Sequence, residues 1–210
     1  MTSTEIKLSK SLENGIEFSC QMCGSCCRGF DEGEVYLYQD DIARLTRAFH
    51  ITKKSELRKF AKKYLKVTND SFFWKEPEAA RGKTYRYKSL GFKFIDNDEH
   101  CQFLKDTICS IHEARPFQCQ CFPFWQMLVS NRKNFINYSK KCPGLTALKG
   151  RYYSKEEILD WANREYEMEK KYFLEMKKHN FNILKVYPFL PKEMLKGEDK
   201  NGDSRIYRAI

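Results

Sequence analysis

Four cysteines fall within eight residues, Cys20-Gln21-Met22-Cys23-Gly24-Ser25-Cys26-Cys27, and five more are dispersed downstream at Cys101, Cys109, Cys119, Cys121 and Cys142. Two-residue spacings let successive thiolates on a tight turn reach one centre, as metal–sulfur bonds of about 2.3 Å require. Gly24 suits a turn whose amides point at sulfur. An odd count of nine leaves one cysteine unpaired in any fully disulfide-bonded scheme. The N-terminus lacks the apolar stretch of a signal peptide, and no apolar run approaches the roughly 18 residues needed to cross a bilayer. The expectation is a cytoplasmic chain without membrane attachment, whose thiols ligate metal.

The Cys20-x2-Cys23-x2-Cys26 rhythm matches that of bacterial ferredoxins, and Cys142-Pro143 can stand in for the final Cys-Pro of such runs. Zinc sites also use C-x2-C pairs, so spacing leaves both metals open, with iron–sulfur (a 4Fe-4S cluster) favoured over zinc. We expect Cys20, Cys23 and Cys26 to share one centre completed by Cys142. In an extended backbone, adjacent Cys27 points the other way, towards Cys101, Cys109 or Cys119. Cys121, beside Phe122, reads as a buried small hydrophobe. His100 and His112 flank the second cysteine group but are more often structural. Arg28 and Arg115 can balance thiolate charge or grip an anion, or form ordinary ion pairs. Trp125 and its neighbouring phenylalanines read as core.

These cysteines must be positioned by a chain of 210 residues, long enough for a core without disulfide staples. Residues 1–19 read as a lead-in strand or loop and Glu34–Tyr38 as a short strand. A helix starts at Asp40 or Asp41 with Ile42, Leu45 and Phe49 on one face. A second, capped by Thr52, carries the stripe Leu57, Phe60, Ala61, Tyr64 and Leu65. Small strands follow from about Tyr85, with turns at 96–98 and 105–107. Pro116 and Pro123 exclude a continuous helix through 112–125. Residues 154–180 lack Gly and Pro, start with a Ser154/Glu157 capping box, and place Leu159, Ala162, Tyr166, Phe173 and Met176 on one face of a long helix. The apolar segment 186–191 either packs back or docks a partner, and the end beyond Gly197 is expected to be mobile. The fold class is α+β: a cysteine-rich domain over 1–150, then a helical extension and tail over 151–210.

The order and composition of Phe18–Arg28, Cys101–Leu104, Cys109–Pro116, Cys119–Phe124 and Cys142-Pro143-Gly144 closely resemble the YkgJ-type cysteine-cluster family, a zinc- or iron-chelating domain. The resemblance implies that Cys20, Cys23, Cys26, Cys27, Cys101, Cys109, Cys119 and Cys142 bind the metal, with Cys121 an extra. His112 stands where relatives often carry Tyr. One branch resembles flagellin lysine methylases, where this domain is only part of the protein. No G-x-G-x-x-G suggests a nucleotide-binding turn.

Three functions are weighed. The first is an accessory metalloprotein, transferring electrons or assembling with a larger enzyme through the C-terminal helix and tail. The second is a cluster-dependent methyl or other group transferase, so whether the chain is an enzyme stays open. The third is a structural zinc protein. The net charge of +10 suits an acidic partner, but the lysines form no tract, and the interleaved aromatic–basic motif of common RNA folds is missing; nucleic acid is not favoured.

Overall fold

The structure is a computed structural model; it describes residues 6–31, 34–95, 100–146 and 149–195. The chain opens with a 3-10 turn (Lys10–Leu12) and the short strand β1 (Ile16–Phe18), then another 3-10 turn at Cys26–Asp31. Helices α1 (Gln39–Ala48) and α2 (Lys54–Tyr64) lead directly into a long hairpin of β2 (Leu65–Trp74) and β3 (Lys83–Phe92). Its antiparallel register runs from Leu65 opposite Phe92 to Trp74 opposite Lys83. Two miniature ladders follow. Strand β4 (Phe94–Ile95) pairs with β5 (His100–Cys101), and β6 (Leu104–Lys105) with β7 (Ile108–Cys109). A 3-10 turn (His112–Ala114) precedes the short helices α3 (Phe117–Cys121), α4 (Gln126–Val129), α5 (Arg132–Ser139) and α6 (Pro143–Thr146). Strand β8 (Arg151–Tyr153) returns antiparallel to β1, and α7 (Lys155–Lys178) and α8 (Ile183–Val186) finish the fold. The class is α+β with a long C-terminal helix. Among the described residues no helix is long and apolar enough to cross a membrane.

Helix α7 organises the interior. Ser154 Oγ accepts from Glu157 N and Glu157 Oε2 accepts from Ser154 N, the expected capping box. Tyr172, Phe173 and Met176 sit against the β2–β3 hairpin, where Phe173 stacks on Phe72 at 4.9 Å between ring centroids. Nearer its start, Ile158 and Ala162 join Leu12, Phe124 and Val129 in a second cluster. The segment after α8 packs back on the body: Tyr187 and Leu190 are buried, and Tyr187 Oη donates to Leu37 O at 3.0 Å.

Three local expectations are revised. Glu34–Tyr38 makes a single bridge, Tyr36 to Gly91, instead of a strand, because Tyr36 N donates to the Gln118 side chain at 2.7 Å and leaves the ladder. Lys53, not Thr52, is the N-cap of α2, and Glu56 Oε2 accepts from both their backbone N–H groups. Leu65 caps the end of α2, its N–H donating to Ala61 O, and is at once the first, fully buried residue of β2, a strand absent from the sequence reading. Its place on the α2 stripe and on the hairpin's buried face satisfies both periods at once. The turn expected at 96–98 and the end beyond Gly197 lie outside the described residues.

Candidate metal centre

Each cysteine group is delivered by its own local device. In the first loop Met22 and Gly24 both take positive φ, 49° and 75°, which turns the chain sharply between Cys20 and Cys26. Cys23 Sγ donates to Ser25 Oγ at 3.4 Å. The two miniature ladders present Cys101 opposite Phe94 and Cys109 opposite Leu104. A two-residue turn with Asp106 at φ 57° closes the second, and Ser110 N and Oγ both donate to Phe103 O to hold it.

Cys119, on α3, is held from two sides. The Asp41 carboxylate is fully buried and accepts from Phe117 N at 2.8 Å, Tyr38 N at 3.0 Å and Arg44 at 2.9 Å. Burial pushes its carboxyl up against the opposing pull of those donors. Gln118 reaches the other way, accepting from Tyr36 N and donating to Glu34 O. Cys142 precedes α6, whose second residue is Gly144. A Cβ there would lie 2.3 Å from Ser19 O, so only glycine lets the backbone before Cys20 run against the helix that follows Cys142.

These devices bring Cys20, Cys23, Cys26, Cys27, Cys101, Cys109, Cys119 and Cys142 to the wall of one cavity of about 70 Å³. The rest of the lining is largely apolar, including Phe18, Val35, Phe92 and Phe122, with Arg115 and His112 at its polar part. Cys121 is elsewhere: it is fully buried, and its thiol donates to Gln118 O at 3.4 Å.

The thiols act on one another. Interaction with Cys109 and then Cys26 pushes the Cys27 thiol up; Cys26 is lowered, chiefly by its interaction with Cys27. The Cys27–Cys109 bond, helped by an N–H from Ile111 and by the guanidinium of Arg115, brings Cys109 down to about 6. Burial pushes Cys101 up to about 11 and raises Cys119 and Cys142. Cys27 thus meets Cys109, one of the expected directions, and also stays within reach of Cys26, because the two open a 3-10 turn and not an extended stretch. Arg115 Nη1 donates to His112 Nε2 at 2.8 Å, leaving Nδ1 as the donor to Glu113 and the ring without a lone pair for a metal.

The donor set fits a soft metal. Eight sulfurs and no carboxylate line the cavity, and thiolate selects zinc or iron–sulfur over hard cations. Among the described residues no three His, Cys, Asp or Glu side chains already stand in single-ion geometry; the sulfurs ring a space, and burial holds Cys101 and Cys119 as protonated thiols. Metal binding displaces such protons.

Sequence reasoning did not find Asp41, Gln118, or the pair Glu165 and Glu169 that lines a neighbouring cavity. Asp41 was legible as an acid three residues past an N-cap, reaching back to its N–H. Nothing in the sequence marks the others.

No solved structure matches this chain. A family model, "CxxCxxCC: Putative zinc- or iron-chelating domain", matches residues 19–143, the stretch that carries every cysteine of the cavity. That span is more than half of the chain, and the protein belongs to this cysteine-rich, zinc- or iron-chelating family.

Proposed function

We propose that the protein holds an iron–sulfur centre and serves as an accessory subunit, for electron transfer or assembly, of a larger enzyme system. The observation that carries this reading is the gathering of eight thiols, without a carboxylate, at one sheltered cavity. A single structural zinc takes four ligands. Eight thiols exceed that, and the Cys20-x2-Cys23-x2-Cys26 rhythm matches iron–sulfur runs. Cys20, Cys23 and Cys26 would hold the centre together with Cys142, whose buried thiol is electrostatically coupled to Cys23 and Cys26. Cys27, Cys101, Cys109 and Cys119 would supply the remaining ligands. Such a centre, when bound, supplies one-electron redox chemistry. The chain's own part is to exclude water with Phe18, Phe92 and Phe122, and to balance thiolate charge with Arg115.

Purification without oxygen, followed by iron, zinc and acid-labile sulfide analysis, tests the reading. Brown protein with iron and sulfide, reducible by dithionite with an electron-paramagnetic signal, is the expected result. Colourless protein with stoichiometric zinc and no sulfide refutes the iron–sulfur assignment while keeping the thiol set.

A further inference from the structure

An open groove runs between α2 and the chain from α8 onward. It consists of two hollows, of about 580 Å³ and about 330 Å³, and Pro188 lines both. Tyr187, Phe189 and Leu190 are buried and pin this segment to the body, while Pro188 between them is exposed. Leu57, Leu184 and Pro191 extend the apolar wall on either side. Along the α2 side, Lys54, Arg58 and Lys62 follow one another at single helical turns, a spacing at which like charges repel. Lys53 and Lys59 stand beside them, and the fold brings Lys192 to the same groove from the far end of the chain. All six cations are exposed, and none is ion-paired with a described residue. Glu193 is the one carboxylate among the lining residues. Glu56, on the same helix, is turned to the backbone N–H groups of Thr52 and Lys53.

A row of unpaired cations beside an apolar wall calls for two things from one ligand: regularly spaced anionic groups, and apolar side chains among them. Four residues of helix rise about 6 Å, so the α2 cations recur at that interval. From this complementarity we infer that the groove is a docking surface for an acidic segment of a partner protein. Its carboxylates would recur at about 6 Å, every fourth residue of a helix or every second of a strand, and meet Lys54, Arg58 and Lys62. Its apolar side chains would lie against Leu184 and Pro188. The fixed φ of Pro188 and Pro191 stiffens that wall before the partner arrives, which lowers the cost of ordering it. Nucleic acid is the poorer occupant. Its phosphates would meet the cations but leave the aliphatic wall facing charge, and Phe189, the one ring among the lining residues, is buried and offers no face to a base. An anionic bilayer is flat and does not follow a concave groove. The groove shares no lining residue with the thiol cavity, so its occupant is independent of the metal held there.

Fluorescence anisotropy with the full chain, purified anaerobically with its native metal, tests the proposal. The probe is a labelled peptide of glutamates with a leucine at every fourth position, about twelve residues long, or about 18 Å as a helix. Controls carry glutamine for glutamate or serine for leucine; an oligonucleotide and phosphatidylserine vesicles represent the other anionic surfaces. Saturable binding of one acidic peptide per chain is expected, weakening as salt rises, with both altered peptides about tenfold weaker or more. Arg58→Glu with Lys62→Glu should weaken it about tenfold or more, since attraction becomes repulsion. Arg132→Glu with Lys133→Glu, exposed on α5 and outside the groove, makes the same change in net charge and should leave affinity within about twofold. In the unsubstituted protein the peptide should slow hydrogen exchange over 54–62 and 184–192, a readout that needs no variant to fold. No saturable peptide binding at millimolar concentration, equal binding of the serine peptide, equal weakening by the two pairs of substitutions, or protection confined to other segments would overturn the proposal. So would tighter binding of the oligonucleotide or the vesicles that depends on Arg58 and Lys62.

Discussion

Replacing Asp41 by Asn should loosen the whole cysteine-bearing half of the molecule. The side chain is fully buried, and its two oxygens accept three hydrogen bonds: Oδ1 from Phe117 N and Arg44, Oδ2 from Tyr38 N. An amide has one acceptor oxygen. In its better orientation Asn keeps Phe117 and Arg44 but turns N–H donors onto Tyr38 N–H, leaving a buried backbone donor unsatisfied at about 1–3 kcal/mol. The bond to Arg44 also falls from charge-assisted to neutral, about 1 kcal/mol more. Together these give about 2–4 kcal/mol, or roughly 5–15 °C in melting temperature for a chain of this size. Phe117 stands two residues before Cys119, so metal per chain should fall with stability. Urea unfolding and metal analysis of anaerobically purified protein measure both. Asp40→Asn is the control: Asp40 is exposed and among the described residues pairs with exposed Lys171, so its loss should cost under about 0.5 kcal/mol. A cost below about 1 kcal/mol for Asp41→Asn, or full metal content with Phe117 untethered, would refute the claim that this carboxylate positions α3.

Gly144→Ala puts a Cβ 2.3 Å from Ser19 O, a backbone atom that cannot swing aside. It should cost about 1–3 kcal/mol and lower metal content by parting Cys20 from Cys142, which metal analysis beside circular dichroism would check. Cys23→Ser should lose metal and stability together, whereas Cys121→Ser, whose thiol meets only Gln118 O at 3.4 Å, should keep nearly full metal. Equal metal losses would show that ligands and bystander are wrongly divided. Stability should also depend on pH in an unusual sense. Burial raises Asp70 to about 6, Glu165 to about 7 and Glu169 to about 8, the last two also repelling one another. The folded chain therefore keeps protons that the unfolded chain has released, and these groups reduce stability as pH rises from about 4.5 to about 8. Glu169→Gln should flatten that slope and gain stability at the alkaline end, by a few kcal/mol at most because the cavity admits some water; identical slopes in urea titrations would rule this out.

Much of this was readable without coordinates, for definite reasons. The capping box at Ser154 and Glu157 and the Gly- and Pro-free run behind it are local signals, and α7 follows them. The two prolines divide 112–125 into a 3-10 turn and the short α3, as fixed backbone geometry requires. What escaped is non-local. Strand β2 has meaning only beside β3, and its first residue also fits the stripe of the helix before it. The hold of Asp41 on Phe117 spans 76 positions and that of Gln118 on Tyr36 spans 82, distances over which no periodicity speaks. Cys27 does meet Cys109, one of the directions expected for it, but it also meets Cys26, because a 3-10 turn stands where an extended backbone was assumed.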